Sequence, residues 1–374
     1  MHTADLNAIA IAIQTRTPTF LWGQPGSGKT AVLEAIAKGL GEPLWTVLLS
    51  IREPQDLGGL PVIEKGSVRL CPPMWARELV AQQHGIVFLD EFNTAPPTTQ
   101  SAALRVIYGG YAGDEKLPED TSFVMAGNRA ADSAGGYDLT AAIANRALHF
   151  DWKVDPAAWR EGMVTGWPEI AVKRLPAKWR NHVNSKMGLV AAFIQIKPNL
   201  LSGMPQDYAE QGKAWPSGRT WDYVARLLGA CESVGLGPKS EEARLLLKAA
   251  IGEGTTAEFH SWLVNLDLPD PEKVLAEPLK TDLPQRQDQI LALLDAVTAA
   301  ALSREKSEKE RDKRYRQAWK FIGRLCDMGK PDLVVPSAHT LAINMPPNVD
   351  KDLPPETEKV LGILKKANIN YSRT

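Results

Sequence analysis

The sequence predicts an α/β fold in which a five-stranded parallel sheet is followed by an all-α domain, and three observations support this prediction. Up to residue 152, short β-branched or aromatic runs alternate with segments of helical pattern. From residue 153 onward, segments of helical periodicity are separated by Pro and Gly. The length of 374 residues also exceeds what one compact core usually holds.

The elements of the first part can be placed one by one. Five segments are predicted as buried strands: TPTFLW, PLWTVLLS, GIVFLD, TSFVMAGN and ALHFDW. A Gly-rich turn and the helix KTAVLEAIAKGL follow the first of them. Two segments interrupt the alternation and are predicted as hairpins, one turning at Lys65-Gly66 and the other near Gly113-Asp114.

Three domains are expected from the change of pattern. They are an α/β core over 1–152, a helical domain over 153–302 and a helical, Pro-rich extension over 303–374. The charged run from Ser303 to Arg316 is predicted as a solvated helix or linker, with a partner surface as the alternative. The end of the chain contains one helical pattern, near Glu356 to Lys366.

The overall charge gives no sign of a nucleic-acid or membrane partner. The formal net charge is -1, and the hydrophobic fraction of 44% is ordinary for a globular protein. Cys71, Cys231 and Cys326 are too far apart for a CxxC pair, which fits a reducing compartment, and no spacing suggests structural zinc. The apolar run ILALLDAVTAAAL contains Asp295 and is too short to span a bilayer. We therefore expect a cytoplasmic protein.

One segment matches a phosphate-binding motif. GQPGSGKT fits GxxxxGK[ST] without deviation, and it lies directly after a predicted strand and opens a helix. In such a loop, backbone N–H groups converge on phosphate oxygens, aided by the helix N-terminus. Lys29 is expected to neutralise phosphate charge and Thr30 to bring its hydroxyl to Mg²⁺. The predicted nucleotide-binding residues are Gly23, Gln24, Pro25, Gly26, Ser27, Gly28, Lys29 and Thr30.

A second segment, IVFLDE, supplies two carboxylates. Four apolar residues form a predicted strand that ends in Asp90 and Glu91. Ligands of parallel α/β sheets bind at this carboxyl edge. Asp90 is predicted to hold Mg²⁺ through water, and Glu91 to orient and activate the attacking water. An acidic pair after a strand can also begin a loop or cap a helix, but the phosphate-binding motif favours the catalytic interpretation.

Three more polar residues are candidates. Asn128 follows the apolar run FVMAG, where it could position the attacking water with Glu91 or simply form a turn. Arg146 precedes the last predicted strand, and Arg219 opens a helix in the second domain. Taken alone, each arginine is more typical of an ordinary surface residue.

Taken together, these motifs resemble the MoxR-like branch of the AAA+ ATPases. Their order is GQPGSGKT, DLGG with a hairpin, IVFLDEFNTAPPTTQSAAL, FVMAGN, NR and PSGRTW. The resemblance covers roughly residues 1–230 and fades towards the C-terminus. It implies a P-loop AAA+ core, a hairpin inserted in helix 2, a second hairpin before sensor 1 and an all-α lid domain.

The resemblance also implies roles by position. Asn128 matches sensor 1, Arg219 matches the sensor 2 arginine of the lid, and Arg146 matches the arginine finger that reaches a neighbouring subunit's γ-phosphate. Arg129 is a rival for this trans-acting arginine. Arg105 stands where the family commonly has an acidic residue. A trans-acting arginine implies a homo-oligomeric ring, expected to be a hexamer, that uses ATP and Mg²⁺.

The substrate of such a ring is left open by the sequence. The resemblance implies remodelling or maturation of a partner, and a von Willebrand factor A domain protein is the expected one. Alternatives are a GTP-using AAA+ motor of the restriction type and a nucleotide-gated scaffold with little turnover. DNA binding through Lys65, Arg69 and the basic run 304–316 is a weaker option, so no nucleic-acid partner is expected.

Overall fold

The computed structural model describes residues 3–129, 136–167, 169–303, 307–349, 355–357, 360 and 362. It divides into two compact units, each described here by itself. The sheet unit comprises Met1–Leu175, Ser202–Tyr223 and Val234–Thr256. The helical unit comprises Pro176–Leu201, Val224–Ser233 and Ala257–Thr374. The domain boundaries expected from the sequence stay a prediction, and most of the helical pattern near 356–366 lies outside the described residues.

The sheet unit is built on a parallel sheet of five strands. Along the chain, the strands of the molecule are β1 Thr19–Trp22, β2 Leu44–Leu48, β3 Leu60–Glu64, β4 Ser67–Cys71, β5 His84–Asp90, β6 Tyr111–Ala112, β7 Glu115–Lys116, β8 Asp120–Gly127 and β9 Leu148–Asp151. The sheet has the order β2-β5-β8-β1-β9, with every pair parallel. The predicted fold class is confirmed, and the five predicted segments supply these five strands.

The strand register brings the ends of the strands to one edge of the sheet. Trp22 is level with Gly127 of β8 and with Asp151 of β9. On the other side of the sheet, Leu48 of β2 is level with Asp90 of β5. The residues that directly follow these positions therefore meet along the carboxyl edge.

Both predicted hairpins are present as separate two-stranded sheets. In the first, β3 pairs with β4, and the turn residues Lys65 and Gly66 both have positive φ, of 49° and 80°. Two left-handed residues in a two-residue loop match the twist of the flanking strands. In the second, β6 pairs with β7, and Gly113 has a φ of 62°.

Helices surround the sheet and complete the sheet unit. They are α1 Thr3–Gln14, α2 Lys29–Leu40, α3 Gln55–Gly58, α4 Met74–Gln82, α5 Pro97–Gly109, α6 Ala141–Ala144 and α7 Pro156–Thr165. After α8 Val183–Ile196, which belongs to the helical unit, come α9 Tyr208–Gln211, the start of α10 Gly218–Ser233, α11 Glu241–Ile251 and the start of α12 Glu253–Val264. α2 begins directly after the left-handed Gly28 and ends at Gly41, whose N–H donates to the carbonyls of Ala37 and Lys38. α1 buries every residue from Leu6 to Ile13, which makes it a core helix.

The helical unit has its own hydrophobic core. It contains α8 Val183–Ile196, the later parts of α10 and α12, α13 Pro271–Ala276, α14 Gln287–Ala301, α15 Glu308–Asp327 and α16 Pro331–Ile343. Trp319, Phe321 and Leu293 are among its fully buried side chains. Gly188 allows α8 to approach α14, because a β-carbon there would lie 2.5 Å from the carbonyl oxygen of Asp295. None of the helices in the described part of the chain is long and apolar enough to cross a membrane.

Candidate functional site

The phosphate-binding motif forms a loop between β1 and α2 at the carboxyl edge of the sheet. Gly26 and Gly28 have φ values of 75° and 80°, a region that L side chains rarely adopt. Gly23 donates its N–H to the carbonyl of Gly127, 3.2 Å away, and the indole N–H of Trp152 donates to the carbonyl of Ser27 at 2.9 Å. Since a β-carbon at Gly23 would lie 2.8 Å from the Trp152 carbonyl oxygen, only glycine fits there.

Lys29 connects this loop to the end of β8. Its ammonium donates to the carbonyls of Gly23 at 2.7 Å and Gln24 at 3.1 Å, and to the side-chain oxygen of Asn128 at 3.0 Å. The side chain is half-buried, so its charge stands at the mouth of the loop. The structure therefore brings the predicted phosphate ligand and the predicted sensor 1 residue into direct contact.

Thr30 and Asp90 lie together at the start of α2 and the end of β5. The Thr30 hydroxyl donates to a carboxylate oxygen of Asp90 at 3.0 Å. A hydroxyl and a carboxylate are hard oxygen ligands of the kind that Mg²⁺ takes. The residues present thus fit the predicted metal, which Thr30 and Asp90 could hold beside the loop.

Glu91 has a left-handed backbone, with φ of 54° and ψ of 39°. Its N–H donates to the carboxylate of Asp90 at 2.9 Å, and its own exposed carboxylate accepts a short hydrogen bond from the Ser50 hydroxyl. Ser50 follows β2, the strand beside β5. The role of Ser50 was not predicted, although its position at the end of the segment PLWTVLLS placed it at the same sheet edge.

Asn93 fixes the position of Asn128. Its side-chain N–H donates to the Asn128 carbonyl at 2.7 Å, and its side-chain oxygen accepts the Asn128 N–H at 3.1 Å. Asn93 is buried, and Gly127 makes room for it, because a β-carbon at Gly127 would lie 2.3 Å from the Asn93 side-chain oxygen. The sequence analysis missed Asn93 as a site residue. The only signal was its place two residues after Glu91.

The two candidate trans-acting arginines have different surroundings. Arg129 donates from Nε to the carboxylate of Asp151 at 2.9 Å and lies over the ring of Trp22, 4.8 Å from the centroid. Arg146 donates to the carbonyl of Ala142 at 3.0 Å and lies over the ring of Tyr108, 5.4 Å from the centroid, and in the described part of the chain it has no acidic partner.

Buried polar groups hold the backbone at Arg146. The hydroxyls of Tyr108 and Tyr223 donate to its carbonyl, at 2.8 and 3.2 Å. Burial raises the pKa of Tyr108 far above its usual value, so this hydroxyl stays a donor. Asn145 donates to the carbonyl of Trp215 at 3.0 Å, and the segment from Trp215 leads directly into α10.

Arg219 lies exposed in the first turn of α10. Within the residues that the structure describes, neither Arg219 nor Arg146 is hydrogen-bonded to the phosphate-binding loop. The structure thus brings Lys29, Thr30, Asp90, Glu91 and Asn128 together at one edge.

A strand, a glycine-rich loop opening a helix and an acidic pair on a neighbouring strand define a nucleotide-binding domain of the P-loop class. Comparison of the sequence with family models narrows this class. Residues 18–147 match the AAA domain of the dynein-related subfamily, so the chain carries an AAA domain.

Other comparisons add little to this assignment. No curated protein matches the chain in sequence. Among solved structures, the chain is similar to a crystal structure of a protein from Cytophaga hutchinsonii ATCC 33406 that is proposed to be an ATPase. The similarity covers 71% of this chain and 89% of the other, at 16% identity and a TM-score of 0.45.

Proposed function

We propose that the chain is a cytoplasmic AAA+ ATPase of the MoxR-like branch, which hydrolyses Mg-ATP in a homo-oligomeric ring. The observation that carries this proposal is the convergence of Lys29, Thr30, Asp90, Glu91 and Asn128. A phosphate-binding loop alone serves many nucleotide-binding proteins. A carboxylate, a hydroxyl and an amide around the same loop are what phosphoryl transfer to water requires.

Each residue has a distinct part in the proposed reaction. The loop N–H groups and Lys29 hold the phosphates, and Thr30 and Asp90 would hold Mg²⁺, which supplies charge neutralisation when bound. Glu91 accepts the proton of the attacking water, and Asn128 orients that water. Asn93 acts as a positioning residue, because it fixes both backbone groups of Asn128.

Arg146 is the proposed trans-acting arginine. Both arginines lie over an aromatic ring of their own chain, but Arg129 is also paired with Asp151, whereas Arg146 has no acidic partner among the described residues. A guanidinium without an acidic partner can reach a phosphate without first breaking an ion pair. In the proposed ring, a neighbour's Arg146 completes each site and Arg219 senses the bound nucleotide; the resemblance implies a hexamer.

The proposed substrate of the ring is a partner protein, which it would remodel or help to mature. The first hairpin supports this proposal, because it exposes a cross-strand apolar pair: Ile63 is 81% exposed and Val68 is 69% exposed. Exposed apolar side chains on a projecting element are typical of a protein-contact surface. The partner proposed by resemblance is a von Willebrand factor A domain protein.

One contact favours a second candidate function, a nucleotide-gated scaffold with little turnover. The hydroxyl of Ser50 donates to one oxygen of the Glu91 carboxylate, the group proposed to accept a proton from water. If that contact persists with nucleotide bound, the chain binds ATP but hydrolyses it slowly. Replacing Ser50 with Ala separates the two functions. If the Ser50 contact holds turnover down, the variant should hydrolyse ATP faster than the parent; if it does not, the two rates should be similar.

The first test is steady-state hydrolysis of Mg-ATP and Mg-GTP over a range of protein concentrations. A specific rate with ATP that rises with concentration supports an active site shared between subunits. The control is Lys29→Ala, which removes the phosphate ligand and is expected to abolish the rate. A preference for GTP would support the restriction-type alternative, and negligible turnover with both nucleotides would contradict the proposed ATPase.

A further inference from the structure

A second concave site lies in the sheet unit, at the base of the hairpin formed by β3 and β4. This cleft encloses about 410 Å³, and its lining includes Arg52, Asp56, Leu60, Cys71, Met74 and Arg77. It is a different site from the phosphate-binding loop, none of whose residues line it. The proposed hydrolysis of ATP assigns no role to it.

The walls of the cleft are held in place by tight backbone packing. A β-carbon at Gly59 would lie 2.7 Å from the Cα of Gly113 and 3.0 Å from the carbonyl oxygen of Cys71. The N–H of Leu70 donates to the carboxylate of Asp114 at 2.8 Å, which ties β4 to the second hairpin. Because these contacts fix the base of the hairpin, the cleft is largely formed before anything binds.

The cleft presents two cationic side chains that no carboxylate neutralises. In the described part of the chain, neither Arg52 nor Arg77 forms an ion pair, and the guanidinium of Arg77 donates to the sulfur of Cys71 at 3.0 Å. One acid, Asp56, also lines the cleft, and its carboxylate accepts the N–H of Glu53 at 3.0 Å. An exposed, planar guanidinium without a partner offers two parallel donors to a carboxylate.

The remaining wall of the cleft is apolar and open to solvent. Leu60 is 56% exposed and Met74 is 70% exposed, and β3 continues from Leu60 towards the exposed Ile63. A nucleic acid would need a continuous basic surface along its phosphates, and this wall supplies none. A polypeptide carries carboxylates beside aliphatic and aromatic side chains, so it matches both walls.

We propose that this cleft binds a segment of a partner protein in which an acidic residue neighbours an aliphatic or aromatic one. The carboxylate pairs with Arg52 and Arg77, and the apolar side chain packs on Leu60 and Met74. The proposal rests on the proposed function only in taking the occupant to be a partner protein. Binding at the cleft requires no ATP turnover.

The test uses a displayed library of random dodecapeptides, selected on the full chain with Mg-ATP. A second selection uses the double variant Arg52→Gln/Arg77→Gln. Peptides enriched on the parent alone are expected to share an acidic residue beside an aliphatic or aromatic one. One such peptide, synthesised with a fluorescent label, is then titrated with each protein and followed by anisotropy. The double substitution is expected to weaken its binding at least ~tenfold, since it removes both charged hydrogen-bond donors.

The matched control is Arg69→Gln, which removes an arginine of the same hairpin that is paired with Glu64 and does not line the cleft. It should leave peptide affinity unchanged. Alkylation gives an independent readout, because a bound peptide should slow modification of Cys71, while Cys326 in the helical unit serves as the internal reference.

Three outcomes would overturn the proposal. They are identical enrichment on parent and double variant, equal loss of affinity in Arg69→Gln, and Cys71 alkylation unaffected by a peptide that binds. ATP turnover is measured in the same samples to separate this proposal from the proposed function. Peptide binding without turnover would sink only the ATPase, and turnover without peptide selectivity would sink only the cleft.

Discussion

The sheet unit gathers the ionisable side chains of its site at the ends of strands, whereas the helical unit holds two charged residues, Asp295 and Arg314, between its helices. Lys29 and Asp90 are half-buried, and each is hydrogen-bonded at the edge of the sheet. In the helical unit, Asp295 of α14 is half-buried and accepts a hydrogen bond from the Ser337 hydroxyl, and Arg314 of α15 is buried.

The two units place their charged residues differently because only one of them needs accessible charges. A site for a polyanion and its metal must keep charges accessible, so it places them where backbone ends and solvent meet. Buried charges in a helical core serve packing and cost desolvation energy instead. Substitutions in the sheet unit are therefore expected to change ATP turnover. In the helical unit, the charge of Asp295 is expected to make stability depend on pH.

The largest expected effect comes from Arg146 in the sheet unit. Replacing it with Ala should lower ATP turnover by about 10³-fold or more, since a trans-acting arginine contributes on that scale. The measurement is steady-state hydrolysis by Arg146→Ala and, as the matched control, by Arg129→Ala. Because Arg129 is paired with Asp151 in its own chain, its loss should lower turnover far less.

A mixing experiment decides whether Arg146 acts on a neighbour. Arg146→Ala retains an intact Glu91, and Glu91→Gln retains an intact Arg146, so mixed rings should regain activity that neither variant shows alone. A mixture as inactive as its components would contradict action in trans. Equal losses in Arg146→Ala and Arg129→Ala would remove the reason for choosing Arg146.

The next effect in size concerns Glu91. Glu91→Gln should lower ATP turnover by about 10²- to 10⁴-fold, because a positioned general base contributes on that scale. ATP binding should persist, since Lys29 and Thr30 are untouched. Measuring turnover together with equilibrium binding of a fluorescent ATP analogue separates the two steps. A variant that hydrolyses ATP at the parent's rate would show that another group accepts the proton.

Much of the sheet unit was predictable because its signals are local. The loop motif and the acidic pair are contiguous, and parallel strands must end at a common edge, so sequence alone placed Lys29, Thr30 and Asp90 at one edge. Ser50 and Asn93 escaped prediction because their roles depend on contacts with other segments, Ser50 with Glu91 and Asn93 with Asn128.

The sequence could not predict to which unit each helical segment belongs, and the reason is different. Segments 202–223 and 234–256 group with the sheet, although their helical pattern resembles that of their neighbours. An amphipathic helix shows that one face is buried, but not which core buries it. The same limit applies to Asp295, which the sequence shows only as an interruption of an apolar run.

His149 should make the stability of the sheet unit fall in acid. It is buried, accepts the indole N–H of Trp22 at 2.9 Å, and contacts the carbonyl of Ala144 through its other ring nitrogen. Burial lowers its pKa from 6.5 to about 4. A proton therefore binds the unfolded chain better, and stability present above pH 6.5 is lost as the pH falls towards 4, by about 3 kcal/mol in total.

The measurement is hydrogen exchange of amides in the sheet unit between pH 7 and 4, in the parent and in His149→Gln. Rates are first corrected for the intrinsic dependence of exchange on pH. The glutamine variant is expected to be less stable at pH 7, since it loses one of two fitted hydrogen bonds, but its stability should vary less with pH. An unchanged slope would show that other groups cause the acid sensitivity.

Asp295 should give the helical unit the opposite dependence. Burial raises its pKa from 3.8 to about 6, against the smaller opposing effect of the Ser337 hydroxyl, which donates to it at 3.0 Å. Here the proton binds the folded chain better. Stability is thus fully present below pH 3.8 and is lost as the pH rises through 6.

Asp295→Asn tests this smallest effect, because the amide keeps an oxygen that can accept from Ser337 but carries no charge at any pH. The variant should raise the stability of the helical unit at pH 8 by about 2 kcal/mol, a value discounted for incomplete burial, and the gain should vanish below pH 4. Asp332→Asn, at an exposed acid of α16, is the control and should show no such pH-dependent gain. If Asp295→Asn does not raise the stability of the helical unit at pH 8, then Asp295 is well solvated in the folded chain. If His149→Gln still makes the stability of the sheet unit less dependent on pH, only the expectation for the helical unit is wrong.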